Sequence, residues 1–330
     1  MTDTIILTHL GESIPLYMKA CIHQISLWND NVTVYIILDA FHKQTAFFNE
    51  LTYKYKTVLV YTDSLKCTDA HSFFLKNFKG DTNFRKGYWR HVKERFFFIE
   101  ELMIQNSLTN VLTMEYDVLL YVNTDTILKH LRGTKTLRMV RDNDEKGHPA
   151  FMFIPSVETI HDFNIFLLEI INTPLEDMQS LAAYAVEYND RMHYFPVITE
   201  LRNRTIANRK SKCGHTSKNP WYLSEDSEVF ETLFDSLVVG QWVGGIDSRN
   251  TGGTKVTNYE NESALYSIKE MPFHWKKNKN TFLWQPLLDG RILATVHVHS
   301  KALDCFLSDR PDYPKDDYEV NKIYNTLLPN

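Results

Sequence analysis

Four short apolar runs punctuate the first third of the chain: Thr4 to Thr8, Val32 to Leu38, Thr57 to Tyr61 and Asn110 to Met114. Each is rich in Val, Ile, Leu, Thr or Tyr and bounded by polar residues, the pattern of a strand covered on both faces. Between the first two, Met18, Cys21, Ile22, Ile25 and Trp28 recur at helical spacing, with Pro15 acceptable in a first turn. Before the fourth, Trp89, Val92, Phe96, Ile99 and Met103 form a second apolar stripe, and Arg90, Lys93, Arg95 and Glu100 fall largely between them. This alternation predicts βα units feeding a mostly parallel sheet flanked by helices.

Further along, Ile160, Phe163, Leu167 and Ile170 predict a helix ending near Asn172 to Pro174, followed by another from about Leu175 to Tyr188. Glycines concentrate from Gly240 to Gly253, including the pairs Gly244-Gly245 and Gly252-Gly253, so tight turns and close backbone approaches are expected there. From Ser308 onward, Arg310-Pro311 and Asp312-Tyr313-Pro314 predict a polar turn and then a short surface helix. No internal repeat or low-complexity linker interrupts the chain.

With 330 residues, 43% of them hydrophobic, the chain can bury a substantial core. A net charge of -5 argues against a general nucleic-acid binder, which carries a basic surface. Cys21, Cys67, Cys213 and Cys305 lie far apart without a CxxC pair, so neither a zinc knuckle nor a dense disulfide framework is suggested, and reduced, intracellular thiols are the plain reading. Met1 runs straight into a strand-like segment with no signal-peptide pattern, so a cytoplasmic location, bacterial or in a virus-infected host, is expected. No apolar run approaches the roughly 20 residues of a membrane-crossing helix, and any membrane contact should be peripheral. The sequons at Asn31, Asn203 and Asn261 therefore carry no weight.

The most informative chemistry is Glu115-Tyr116-Asp117, two carboxylates on alternate residues where a buried strand should leave the sheet. Residues two apart in extended backbone point the same way, so both could share one hard divalent cation, Mg²⁺ or Mn²⁺, with a diphosphate. Acidic residues also commonly end strands, and the triplet alone is weak. In Thr295 to Lys301, His297 and His299 alternate again, either able to complete a metal shell, and Lys301 could place an ammonium on a leaving diphosphate. A helical pattern from Phe234 runs into the glycines, with Asp235 a candidate general base and Gly244, Gly245 and Asp247 candidate acceptor contacts. Trp89, Arg90 and Arg95 could stack on a base or touch phosphate, although helix packing explains Trp89 as well.

The triplet, the glycine loop and the blocks Trp89 to Phe96, Pro149 to Phe153, Asp177-Met178, Phe234 to Asn250 and His297 to Lys301 together resemble GT-A-fold glycosyltransferases of bacterial surface-polysaccharide gene sets and large viruses. The resemblance implies a Rossmann-like sheet, a UDP- or GDP-sugar donor, a glycan or glycoconjugate acceptor, and a hexosyl or related transferase. It implies a donor half at residues 1–130 and an acceptor half at 131–330, together one catalytic domain. Asp117 takes the metal-binding role of the family's DxD motif first and Glu115 second, the departure being Glu for the first Asp. Thr8 and His9 become donor contacts by the same resemblance. The His-x-x-Gly-x-x-Lys ending of glycogenin-like relatives matches His299-Ser300-Lys301 in ingredients only.

Three other readings compete. A sugar-nucleotide pyrophosphorylase would carry a glycine-rich, Arg-containing loop after its first strand, and Thr8 to Ser13 lacks one. A glycoside hydrolase needs carboxylates roughly 5–9.5 Å apart flanking a bond, whereas alternate residues suit a cation better. A protein that binds carbohydrate or nucleotide-sugar without turnover would keep the same fold. Neither GxxxxGK[ST] nor a GxGxxG after the first strand is present.

Overall fold

The computed structural model describes residues 2–81, 83–205, 210–217, 220–252, 256 and 258–311. Gly253 and the expected surface helix after Pro311 lie outside the described residues. The N-terminal part runs β1 (Asp3–His9), α1 (Met18–Trp28), β2 (Val32–Leu38), α2 (Ala46–Lys54) and β3 (Thr57–Tyr61). It continues through α3 (Asp69–Asn77) and α4 (Tyr88–Asn106) to β4 (Val111–Met114). β2 and β3 have the bounds the sequence pattern gives. β4 starts one residue late because Asn110 takes a left-handed conformation, φ 53°, that asparagine tolerates.

The chain then forms β5 (Val118–Leu120), α5 (Thr124–Leu128) and the antiparallel pair β6 (Leu137–Asn143) and β7 (Lys146–Ile154). The apolar pattern conceals β6 because Arg138, Arg141, Asp142 and Asn143 are polar yet buried. Their burial is tolerated because they are paired: Arg138 donates to the Tyr194 carbonyl at 2.7 Å, and Arg141 to the Tyr194 hydroxyl at 2.7 Å. α6 (Val157–Glu169) begins at Ser156, whose side chain accepts from the Thr159 amide. α7 (Asp177–Glu187) begins with a reciprocal cap between Glu176 and Gln179, so Pro174 falls between the helices. β8 (Met192–Tyr194) follows.

The central sheet has the order β3-β2-β1-β4-β7-β6-β8, and four of its six pairings are parallel. It passes without interruption from strands before residue 130 to strands after it. The remaining elements are α8 (Glu200–Asn203), α9 (Ser227–Phe230), β9 (Thr232–Leu233), α10 (Val238–Gly244), β10 (Phe273–Lys277), β11 (Trp284–Leu288), β12 (Arg291–Leu293) and β13 (Thr295–His297). β9 through β12 build a small second sheet, while β13 pairs with β5. No described helix is long and apolar enough to cross a membrane.

One feature of this topology positions the site. β1 has β2 on one side and β4 on the other, so chain order reverses there, and it is beyond the carboxyl ends of strands at such a point that open α/β sheets bind ligands. His9 ends β1, and Glu115 to Asp117 follow β4, at that edge.

Candidate functional site

Glu115 to Asp117 form a turn rather than a continued strand. The Val118 amide closes it on the Glu115 carbonyl at 3.1 Å, and the Glu115 amide ties it to the Ala150 carbonyl of β7 at 2.9 Å. The two carboxylates nevertheless converge. β13 pairs antiparallel with β5, setting His297 opposite Val118, and the Val298 amide donates to the Asp117 carbonyl at 2.8 Å. His297 Nε2 thereby comes 3.1 Å from Asp117 Oδ2 and 3.8 Å from Glu115 Oε2. Ligand atoms of Glu115, Asp117 and His297 all lie within 4.8 Å of one another. Lys301, itself left-handed with φ 69°, turns back so that its ammonium donates to Asp117 Oδ2.

Burial drives the electrostatics. Asp117 is 5% exposed, which would raise its pKa, but the Lys301 ammonium and the His297 ring outweigh that and hold it well below the carboxylate range. Burial lowers the His297 pKa, and Asp117 more than offsets it, leaving a net upward shift. Two oxygen donors and one imidazole suit a divalent cation of the Mg²⁺ and Mn²⁺ kind. The His297 Nδ1 atom is buried with no hydrogen-bond partner among the described residues, so the ring's charge-bearing contacts all run through Nε2.

The other expected site residues fall into distinct roles. Arg95, on α4, donates to Glu115 Oε1 at 2.6 Å and to Asp177 Oδ2 at 2.5 Å. Its fork is therefore occupied by two carboxylates, and the expected phosphate contact is replaced by the job of aiming Glu115. Asp177 entered the sequence reading only through the Asp177-Met178 block and was given no role there, because an acid in a first helical turn is ordinary helix chemistry. His9 is buried between the Tyr116 hydroxyl at 3.0 Å and the Ser13 carbonyl at 2.5 Å, and burial pushes it down to about 4, so it stays neutral. Thr8 lies beside it in β1, its hydroxyl buried without a partner among the described residues. Tyr17 and Tyr116, absent from the sequence-based set of site residues, pack as tilted rings with centroids 5.6 Å apart, with Lys301 5.9 Å from the Tyr17 ring centre.

Three expected site residues meet partners the sequence did not suggest. Asp235 is 3% exposed, and its carboxylate accepts the backbone amides of Val239 at 2.9 Å, Gly240 at 2.8 Å and His297 at 3.0 Å. Burial raises its pKa against the pull of those amides, and the enclosed carboxylate joins α10 to β13. His299 is not in the three-residue cluster; its Nδ1 accepts from the Asp247 amide at 3.1 Å, and burial pushes its pKa down to about 4. The Asp247 carboxylate is engaged by Arg249, with Nε to Oδ2 at 2.9 Å, which removes it as a free acceptor contact. In the glycine loop, Gly245 takes the special backbone, φ 73°, whereas the closest approach falls on Gly240. Gly244 meets only side chains of Val298, Ser300 and Phe306.

No family model matches this sequence. No curated protein matches it either. Among solved structures, mouse xyloside xylosyltransferase 1 in its apo form superposes with a TM-score of 0.44 at 11% identity, covering 69% of this chain and 92% of that one. The galactosyltransferase LgtC, in complex with donor and acceptor sugar analogs, gives 0.38 at 9% identity over 62% of this chain and 78% of that one. The glycosyltransferase GlyE of Streptococcus pneumoniae gives 0.38 at 10% identity over 59% of this chain and 45% of that one. At such values function has to be argued from the site itself.

Proposed function

We propose that this chain is a metal-dependent GT-A-type glycosyltransferase that moves a sugar from a UDP- or GDP-sugar to a hydroxyl of a glycan or glycoconjugate. The observation that carries the proposal is the convergence of Glu115, Asp117 and His297, with Lys301 against them, at the chain-reversal point of the sheet. Strand ends at such a point are where open α/β sheets hold nucleotides.

Asp117 and His297 would hold a Mn²⁺ or Mg²⁺ ion, with Glu115 beside them. When bound, such an ion supplies Lewis-acid stabilisation of the diphosphate. Arg95 keeps Glu115 and Asp177 from repelling one another and fixes where the Glu115 carboxylate points. Lys301 sits where its ammonium can leave Asp117 and meet negative charge developing on the leaving diphosphate. Tyr17 lies beside the same groups, its ring 5.9 Å from the Lys301 ammonium and 5.6 Å from Tyr116.

The test is a melting screen of UDP- and GDP-sugars with and without Mn²⁺, followed by assay of nucleoside diphosphate release. A donor present at 100 times its Kd should stabilise the chain by about 2.7 kcal/mol. Stabilisation without product release, even with acceptors supplied, would favour a binding protein; no stabilisation by any donor would sink the proposal.

The enclosed position of Asp235 gives a separate expectation. Asp235→Asn should cost about 1–3 kcal/mol of stability, because one of its amide partners loses its acceptor. Its turnover per folded molecule should stay close to wild type, with an unchanged pH profile. A folded variant with turnover reduced a hundredfold would restore Asp235 as a base.

A further inference from the structure

A second cluster of ligand-type side chains lies between α3 and α4, away from the carboxylate turn. Cys67 precedes α3, His71 lies in its first turn, and Glu101 comes from α4; one ligand atom of each lies within 4.8 Å of the others. His71 and Glu101 are buried, whereas Cys67 is exposed. His71 Nδ1 is 2.8 Å from Glu101 Oε1, and that oxygen also accepts the Thr68 amide at 2.9 Å, which fixes the carboxylate. The opposite ring nitrogen, Nε2, faces Glu94 Oε1 at 3.4 Å. Arg90 in turn clamps Glu94 through two contacts of 3.0 Å.

We propose that Cys67, His71 and Glu101 form a zinc site that is separate from the donor site. A thiolate, an imidazole and a carboxylate are the donor set that zinc favours, and the thiolate argues against Mg²⁺ or Ca²⁺. Tetrahedral zinc with bonds of about 2.0–2.3 Å needs donor atoms about 3.3–3.7 Å apart. The cluster reaches that spacing by drawing in the exposed thiol and by opening the 2.8 Å gap between His71 Nδ1 and Glu101 Oε1 by about 0.5 Å as the proton between them leaves. Glu94 on the far ring nitrogen supplies the outer carboxylate that orients a metal-binding histidine, with Arg90 holding it in turn.

Charge agrees with the assignment. Without metal, a protonated His71 and Arg90 balance Glu94 and Glu101. With zinc, the imidazole proton and the thiol proton leave to solvent, and Zn²⁺ with Arg90 balances the Cys67 thiolate, Glu94 and Glu101. The charges of these groups sum to zero in both states, with Cys67 and Arg90 at the exposed edge of the cluster and His71, Glu94 and Glu101 buried. Water takes the fourth position beside the exposed sulfur. The ion would staple α3 to α4, the helix that also presents Arg95 to the donor triplet.

The full chain, stripped with chelator and titrated with Co²⁺, tests this. One thiolate-to-cobalt charge-transfer band should saturate at one ion per chain and be displaced by Zn²⁺. The band should persist in Asp117→Asn, which alters only the donor-site ligands, and vanish in Cys67→Ser, an exposed substitution that leaves the fold intact. Absence of the band in the wild type would overturn the proposal. So would its survival in Cys67→Ser, which would trace it to another thiol, or its loss in a folded Asp117→Asn. None of these outcomes depends on sugar transfer, so failure here and failure of the proposed function are distinguishable.

Discussion

Asp117→Asn is expected to lower metal-dependent donor turnover by more than about 100-fold. Removing even an outer partner of a bound metal typically costs about 10–100-fold, and Asp117 is the side chain on which both His297 and Lys301 converge. Asparagine keeps the shape and one acceptor oxygen, so packing around the turn survives. The charge does not: the Lys301 ammonium is left facing a neutral amide, and the His297 ring loses the carboxylate that raises its pKa against burial. Breaking a buried ion pair in this way costs about 3–5 kcal/mol, discounted here because the Lys301 side chain is 21% exposed. The pH dependence has a definite sign. Because Asp117 is depressed in the fold, its stabilisation is full above the ordinary carboxyl pKa of 3.8 and is lost as acid titrates the group below it. The asparagine variant should lack that acid-side loss. Melting curves across pH and initial rates with Mn²⁺ check both, and turnover within threefold of wild type would reject Asp117 as a ligand.

Gly240→Ala should be the most damaging single-methyl change in the glycine loop. A Cβ there would lie 1.8 Å from the His297 carbonyl oxygen and 2.5 Å from its carbonyl carbon, both backbone atoms that no rotamer change can move. α10 must therefore lift off β13, breaking the Asp235 splice and shifting the strand that delivers His297. Overpacking ordinarily costs about 1–3 kcal/mol, and contact with fixed backbone puts this case at or above the upper limit. Gly244→Ala is the control, since its nearest contact is the Val298 Cγ1 atom at 3.2 Å, which can give way. Thermal melts and Mn²⁺ affinity should both fall in Gly240→Ala and change little in Gly244→Ala. Equal melting temperatures for the two variants would show that the approach of α10 to β13 is looser than described.

β1, β2 and β4 were legible because burial on both faces leaves a near-continuous apolar signature, β3 because its β-branched residues stand out even at the sheet edge, and α1 and α4 because their stripes repeat at helical spacing. β6 was hidden, since its arginines and Asp142 are buried through partners supplied by Tyr194 and the loop after residue 258. The small sheet of β9 to β12 was hidden for another reason: β9 and β12 have only two and three residues, and β10 and β11 mix Lys276, Lys277, Gln285 and Pro286 into their apolar positions. The cluster at Cys67 shows the same limit in chemistry. Cys67 and His71 stand four apart in plain view, but Glu101 and Glu94 reach them only through the packing of α3 on α4.

By itself the sequence determined that a mostly parallel, helix-flanked sheet forms and that an acidic triplet follows its fourth strand, because local burial and hydrogen bonding leave periodic marks in the chain. It also supplied His297 and Lys301 as ingredients. What only the tertiary structure decided is which ingredients meet. The pairing of β13 with β5 brings His297 to Asp117 across 180 residues. The same packing turns Asp235 inward to backbone amides, engages His299 and Asp247 with neighbouring groups, and gives Arg95 to two carboxylates. A charged side chain's role is set by the partners that burial forces on it, and those partners come from elements far away in the sequence.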